Sequence, residues 1–234
     1  MVHDAHGAAR ADDSGPTGLR LAPGESSPAP GPDEDDLPRD RTQAILEATK
    51  QVAALLKQKE HRFALAGSVA AYAHGVSRRL QHDVDFCVLR EDADTVAATL
   101  REGGLTVHHA PEDWLLKARC LGQSVDIIFE LSDHPVTPEL LARARELPVD
   151  SVRMPVLSPT DLLVSLLKAF SEHHCDFGAV LPIARSLREK VDWQEVRRTC
   201  GDRPMPAAFL FLLERLDVID AEPGQRAESF KEQP

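Results

Sequence analysis

Aromatic residues are scarce, at 5% of the chain, and none precedes Phe63. Residues 1–38 also hold six prolines and five glycines. Such a stretch cannot bury enough apolar surface to offset its ordering entropy, so the sequence predicts a disordered N-terminal tail. Long hydrophobic runs are missing as well. No stretch approaches the roughly 20 apolar residues that span a bilayer, and the N-terminus lacks the basic-then-apolar order of a secretory signal. No membrane partner is expected. Cysteine is limited to Cys87, Cys120, Cys175 and Cys200, without a Cys-x-x-Cys pair. That argues against a zinc knuckle or a disulfide framework and for a reduced, cytoplasmic setting. A Walker A loop, a Gly-x-Gly-x-x-Gly fingerprint and a serine nucleophile elbow are all absent, and no internal repeat occurs.

Charge is present but uneven. The net charge is −11, yet residues 1–40 alone carry nine acids against three arginines. The remaining 194 residues run near −5, which argues against a dedicated duplex-binding surface and suits a soluble enzyme. The acidic run Asp33 to Asp36 reads as part of the solvated tail.

Order is expected from about Asp40. Ile45, Ala48, Val52, Leu55 and Leu56 recur at helical spacing to about Lys59. Phe63 to Ala66 reads as a short strand stopping at Gly67-Ser68, and Val69 to His74 as a compact helix closed by Gly75. Further strands are expected at Val84–Leu89, Leu105–His109, Trp114–Cys120 and Ser124–Glu130, the last two as a hairpin turning at Gly122, with a helix over Asp92–Glu102. Thr137-Pro138 and Ser158-Pro159-Thr160-Asp161 carry helix-start chemistry, Asp161 being placed to complete a capping box. Helices are also expected over Asp176–Lys190, Asp192–Cys200 and Met205–Leu216. The predicted plan is an α+β protein with a tail over 1–38, a mixed-sheet core over 39–156, a helical region over 157–220 and a second tail over 221–234.

Within this plan the carboxylates stand out. Alternate side chains of a strand share a face, so Asp83 and Asp85 point together while Val84 and Phe86 point into the opposite layer. Two carboxylates that close repel each other unless a cation sits between them, and Mg²⁺ favours carboxylate and phosphate oxygens. Alone, Asp-x-Asp also suits a solubilised strand edge. Asp126 adds a second signal, because it interrupts the apolar run Val125-Asp126-Ile127-Ile128-Phe129. A carboxylate there costs on the order of several kcal/mol unless it is paired or metal-bound. Gly67-Ser68, where a strand stops and a helix starts, suits an anion through free backbone N–H groups and the Ser68 hydroxyl. Arg78, just ahead of the acidic strand, is placed to clamp a phosphate. Glu172-His173-His174 lacks zinc-motif spacing and is expected only to end a helix.

The run Ala66-Gly67-Ser68-Val69-Ala70-Ala71-Tyr72, then Gly75, Arg78 and Asp83-Val84-Asp85-Phe86, resembles the signature of DNA polymerase β superfamily nucleotidyltransferases. It is most similar to the AbiEii-like and antibiotic-adenylylating branch. Ser158-Pro159-Thr160-Asp161-Leu162-Leu163 and Val191-Asp192-Trp193 resemble helical segments that follow the core in that branch. The resemblance implies that Asp83, Asp85 and Asp126 bind metal and serve catalysis, and that Gly67, Ser68 and Arg78 bind the nucleotide. It further implies ATP or another NTP as donor, two Mg²⁺ ions, and an acceptor that is a small molecule, a tRNA or a protein. Many relatives carry a lysine shortly after Asp-Leu-Leu. Here Leu166 stands at that spacing, and Lys168 follows two residues on, which is a different helical face. Two other readings stay open at this level: a non-catalytic nucleotide- or partner-binding module, and a tRNA-modifying toxin with an antitoxin partner.

Deleting residues 1–38 should shift the melting temperature by no more than about 2 °C, as for removal of unpacked chain. A truncated protein that no longer unfolds cooperatively would show that the tail packs on the domain.

Overall fold

Hydrophobic spacing sets the first helix of the computed structural model, which describes residues 41–77, 80, 83–132 and 134–221. Both predicted tails except Ala221, together with Arg78, Arg79 and His82, lie outside the described residues. Helix α1 (Arg41–Gln58) buries Ile45, Ala48, Val52 and Leu56 along one stripe. Seven strands follow: β1 (Phe63–Leu65), β2 (Val84–Val88), β3 (Thr106–His109), β4 (Leu115–Cys120), β5 (Gln123–Ile128), β6 (Arg145–Val149) and β7 (Val152–Val156). They form one mixed sheet in the order β3-β4-β5-β2-β1-β7-β6. The pairs β2–β5 and β1–β7 are parallel, and the other neighbours are antiparallel. Helices α2 (Gly67–Ala73), α3 (Ala93–Glu102), α4 (Pro138–Ala142), α5 (Pro159–Lys168), α6 (Phe177–Leu187), α7 (Trp193–Cys200) and α8 (Pro204–Arg215) complete the α+β architecture. The described residues from Arg41 onward belong to one compact unit.

Helix α1 lies against β2, β4 and β5, and α3 against β3. Between helix and sheet sit Val84, Phe86 and Ile127, all fully buried, with Phe63 meeting Phe86 edge-on at 5.7 Å. Toward the C-terminus α5 is the hub. It contacts α2, α6, α7 and α8, and Phe170, just beyond its end, clusters with Phe177 and Phe209 at centroid distances of 5.1–5.7 Å. The buried His74 fastens α2 to this region, its Nε2 lying 2.8 Å from the Leu157 carbonyl oxygen.

The strand pair β6–β7 was not expected from the sequence. Each strand carries a proline, Pro148 and Pro155, and neither shows a run of β-branched residues. Tertiary position explains both prolines: β6 is the sheet edge and β7 pairs with β1 only at Leu65↔Val156, so few ladder donors are needed. The predicted helix over Asp92–Glu102 begins as a 3₁₀ turn, Arg90–Asp92, before α3 takes over. Glu172, His173 and His174 lie in the α5–α6 connection, where Ser171 and His174 exchange backbone hydrogen bonds. Asp161 does stand in the first turn of α5, but its carboxylate goes to the Ser158 hydroxyl at 2.6 Å and to Arg143 at 2.7 and 3.1 Å.

The β4–β5 turn stores strain. Leu121 and Gly122 both have positive φ, +50° and +74°, the mark of a type I′ hairpin that favours Asn-Gly. Leu121 is 60% exposed, so its side chain gains little burial in return. Leu121→Asn should therefore raise stability by about 1 kcal/mol, read as a later urea midpoint with unchanged slope. A destabilised variant would mean that the Leu121 side chain packs on something in solution.

Candidate active site

Two parallel strands bring the central carboxylates together. Asp85 of β2 and Asp126 of β5 are register partners, so their side chains leave the same face of the sheet on adjacent strands about 4.8 Å apart. Asp83 lies exposed just before β2, near enough for its charge to act on both. Burial, then the charges of Asp126 and Asp83, push Asp85 up to about 7, against the lowering influence of Lys117. Asp126 is also raised, chiefly by burial, and hydrogen bonding from Lys117 opposes that rise.

Lys117 is a site residue that sequence reading missed. It pairs with Asp126 across the β4–β5 hairpin and sets its ammonium 3.2 Å from each carboxylate oxygen. The signal was available, because counting outward from a two-residue turn at Leu121-Gly122 places 117 opposite 126.

The glycine-serine turn closes on the same acids. The Ala66 amide donates to the Asp85 carbonyl at 2.8 Å, extending the β1–β2 ladder to the residue just before α2. Gly67 has φ +60°, and a Cβ there would stand 1.8 Å from Asp85 Oδ2. Only glycine fits, on backbone and on space alike. Ala66 caps α2 without a side-chain acceptor, so the first-turn N–H groups receive no cap bond. Among the described residues, the buried Ser68 hydroxyl has no hydrogen-bond partner.

A cleft of about 440 Å³ opens from Gly67 and Asp85 toward Trp114, Glu130, Leu166 and Lys168. Trp114 is 39% exposed at its wall. Leu166 and Lys168 both line it, so the helical-face argument that separated them does not hold at the end of α5. The Lys168 stem is long enough to turn its ammonium back, and it meets His134 Nε2 at 2.9 Å. Larger grooves of about 550 and 570 Å³ lie at α7–α8 and beside the Ser158 and Asp192 caps, but neither is lined by the acids.

Among the described residues no three His, Cys, Asp or Glu side chains form a ready metal cage. Asp83, Asp85 and Asp126, expected to bind metal together, are thus not gathered into such a cage, whereas Mg²⁺ bound with substrate phosphate and water takes only one or two carboxylates. Asp85 and Asp126 supply such a pair, and the repulsion that adds to burial in raising Asp85 is what a cation would relieve. The residues present fit a divalent ion bound together with a phosphate.

Asp85 also makes a pH prediction. An aspartate held near 7 when folded, against about 3.9 unfolded, binds its proton more tightly in the native state. Its contribution is intact below about pH 4 and is lost as pH rises toward 7. Without metal, Asp85→Asn should therefore gain on the parent between about pH 5 and pH 8 by about 2 kcal/mol in urea unfolding. A pH-independent offset, or an Asn variant less stable at pH 8, would make Asp85 a structural partner instead.

The fold has known counterparts. ANT(2″)-Ia in complex with adenylyl-2″-tobramycin is 13% identical, with a TM-score of 0.51 over 71% of this chain and 97% of that one. The solution structure of the antibiotic-resistance factor ANT(2″)-Ia is 15% identical, with a TM-score of 0.50 over 76% and 96%. At such identities the likeness is one of fold. No curated protein matches the chain. A family described as uncharacterised nucleotidyltransferase matches residues 37–217, the span that holds the acidic pair, the glycine-serine turn and the C-terminal helices. The chain therefore belongs to this nucleotidyltransferase family and shares the fold of ANT(2″)-Ia.

Proposed function

We propose that the protein transfers a nucleoside monophosphate from an NTP to an acceptor hydroxyl in a divalent-cation-dependent reaction that releases pyrophosphate. The observation that carries this reading is the register pairing of Asp85 with Asp126 directly against Gly67. Asp85 and Asp126, with Asp83 just before β2, would hold Mg²⁺, which when bound neutralises phosphoryl charge and favours the ionised acceptor hydroxyl. The uncapped first turn of α2 and the unpartnered Ser68 hydroxyl offer N–H and O–H donors to the phosphates. Across the cleft, the buried Lys168 ammonium adds positive charge suited to the leaving pyrophosphate. The acceptor oxygen forms its bond to the α-phosphorus as the bond to the pyrophosphate oxygen breaks. Asp126, with a raised proton affinity, takes the hydroxyl proton.

Incubation with each labelled NTP, Mg²⁺ and a cell extract tests the activity by asking which fraction becomes labelled. Ser68→Ala should weaken NTP binding by about 1–2 kcal/mol yet turn over at saturating NTP. Asp126→Ala should keep NTP bound while lowering turnover by about 10²-fold or more. If wild-type protein binds NTP but labels nothing, and Asp126→Ala changes neither property, the protein is a nucleotide-binding module instead.

A further inference from the structure

Lys168 is an unusual residue for a wall of this cleft. It is 8% exposed, and among the described residues its ammonium has one side-chain partner, His134 Nε2 at 2.9 Å. An ammonium has only donors, so Nε2 must accept with its lone pair. The other ring nitrogen, Nδ1, lies 3.0 Å from the Ser132 carbonyl oxygen, which can only accept. Both contacts are satisfied together by the neutral imidazole with its proton on Nδ1. The ring is thereby fixed at both ends.

Described residues on both sides of His134 are also hydrogen-bonded. Val136 donates to the Phe129 carbonyl at 2.7 Å, Glu130 bridges Pro135, and Leu131 and His134 exchange backbone hydrogen bonds of 2.7 and 3.2 Å. This hairpin continues directly from β5, the strand of Asp126, and Ser132 within it holds φ +49°. Lys168 is the last residue of α5, where the carbonyls of Ser165, Leu167 and Lys168 already accept from Ala169, Phe170 and Arg203. The His134 lone pair is the group that holds the ammonium on the hairpin side.

We propose that His134 is a positioning residue that aims the Lys168 ammonium at the triphosphate. The proposal rests on the reading of Lys168 as a phosphate contact. Because the hairpin grows out of β5, Asp126 and the partner of the Lys168 ammonium are set by one continuous piece of chain. His134 touches no substrate itself and acts through Lys168.

The test measures binding of inorganic tripolyphosphate with Mg²⁺ by titration calorimetry, for the full chain and for variants with unchanged melting temperature. Lys168→Met should weaken binding about tenfold or more, and His134→Ala about fivefold. His134→Gln, whose amide oxygen can accept from the ammonium, should return to within about twofold of wild type, and the double variant should bind no more weakly than Lys168→Met alone. Should His134→Ala fail to fold, His134→Asn replaces it, being too short to reach Lys168. Unchanged binding in His134→Ala while Lys168→Met is weakened, no recovery in His134→Gln, or additive losses in the double variant would each overturn the role of His134 and leave the proposed transfer standing. Wild-type binding in Lys168→Met, or no binding by the wild type, would remove the phosphate reading of Lys168 and this proposal with it.

Discussion

Two like charges held side by side on neighbouring parallel strands govern this structure. The register of β2 against β5 puts Asp85 beside Asp126, and no rotation of either strand can part them without moving the apolar residues on the opposite face into solvent. Phe86 and Ile127, both fully buried, are the price of any slip. The hydrophobic core thus maintains an electrostatic arrangement that the carboxylates themselves oppose, and the raised proton affinity of Asp85 reflects burial first and that opposition second.

Several features follow from that pairing. Lys117 stands over Asp126 as a local counter-charge, half exposed and therefore displaceable at modest cost. Gly67 is required because Asp85 leaves no room for a Cβ at the start of α2. That contact, with the Ala66–Asp85 backbone bond, locks the uncapped helix start to the acidic strand rather than to a flexible loop. A site carried on strands and a helix start is stiffer than one on loops, which suits a reaction whose catalysis is mostly positioning.

The C-terminal helices build the second wall of the cleft. α5 reaches the sheet through α2, while His74, the Leu157 carbonyl and Lys190 tie the end of α2 to both segments around it. Arg203 donates to the Lys168 carbonyl at 2.8 Å, so the end of α5 is held by the start of α8. The helical region is therefore part of the cleft's architecture and not an appendage to it.

Much of this was legible in the sequence because it depends on local physics. Helical spacing marked α1, and Ser158-Pro159 marked the start of α5. An aspartate within an apolar run marked Asp126 as in need of a partner. The edge strand β6 and its neighbour β7 were hidden, since prolines mask a strand wherever the sheet position does not demand ladder donors. Lys117 was within reach of hairpin counting, but its value depends on the identity of the facing residue. The sequence alone determined the element types, the motif residues and the need for a counter-charge near the acids. Only the tertiary structure decided that β2 and β5 pair in parallel at the register that joins Asp85 to Asp126, and that His134 meets Lys168 from 34 positions away. Non-local pairing is chosen by the packing of whole layers, and no short stretch of chain carries that information.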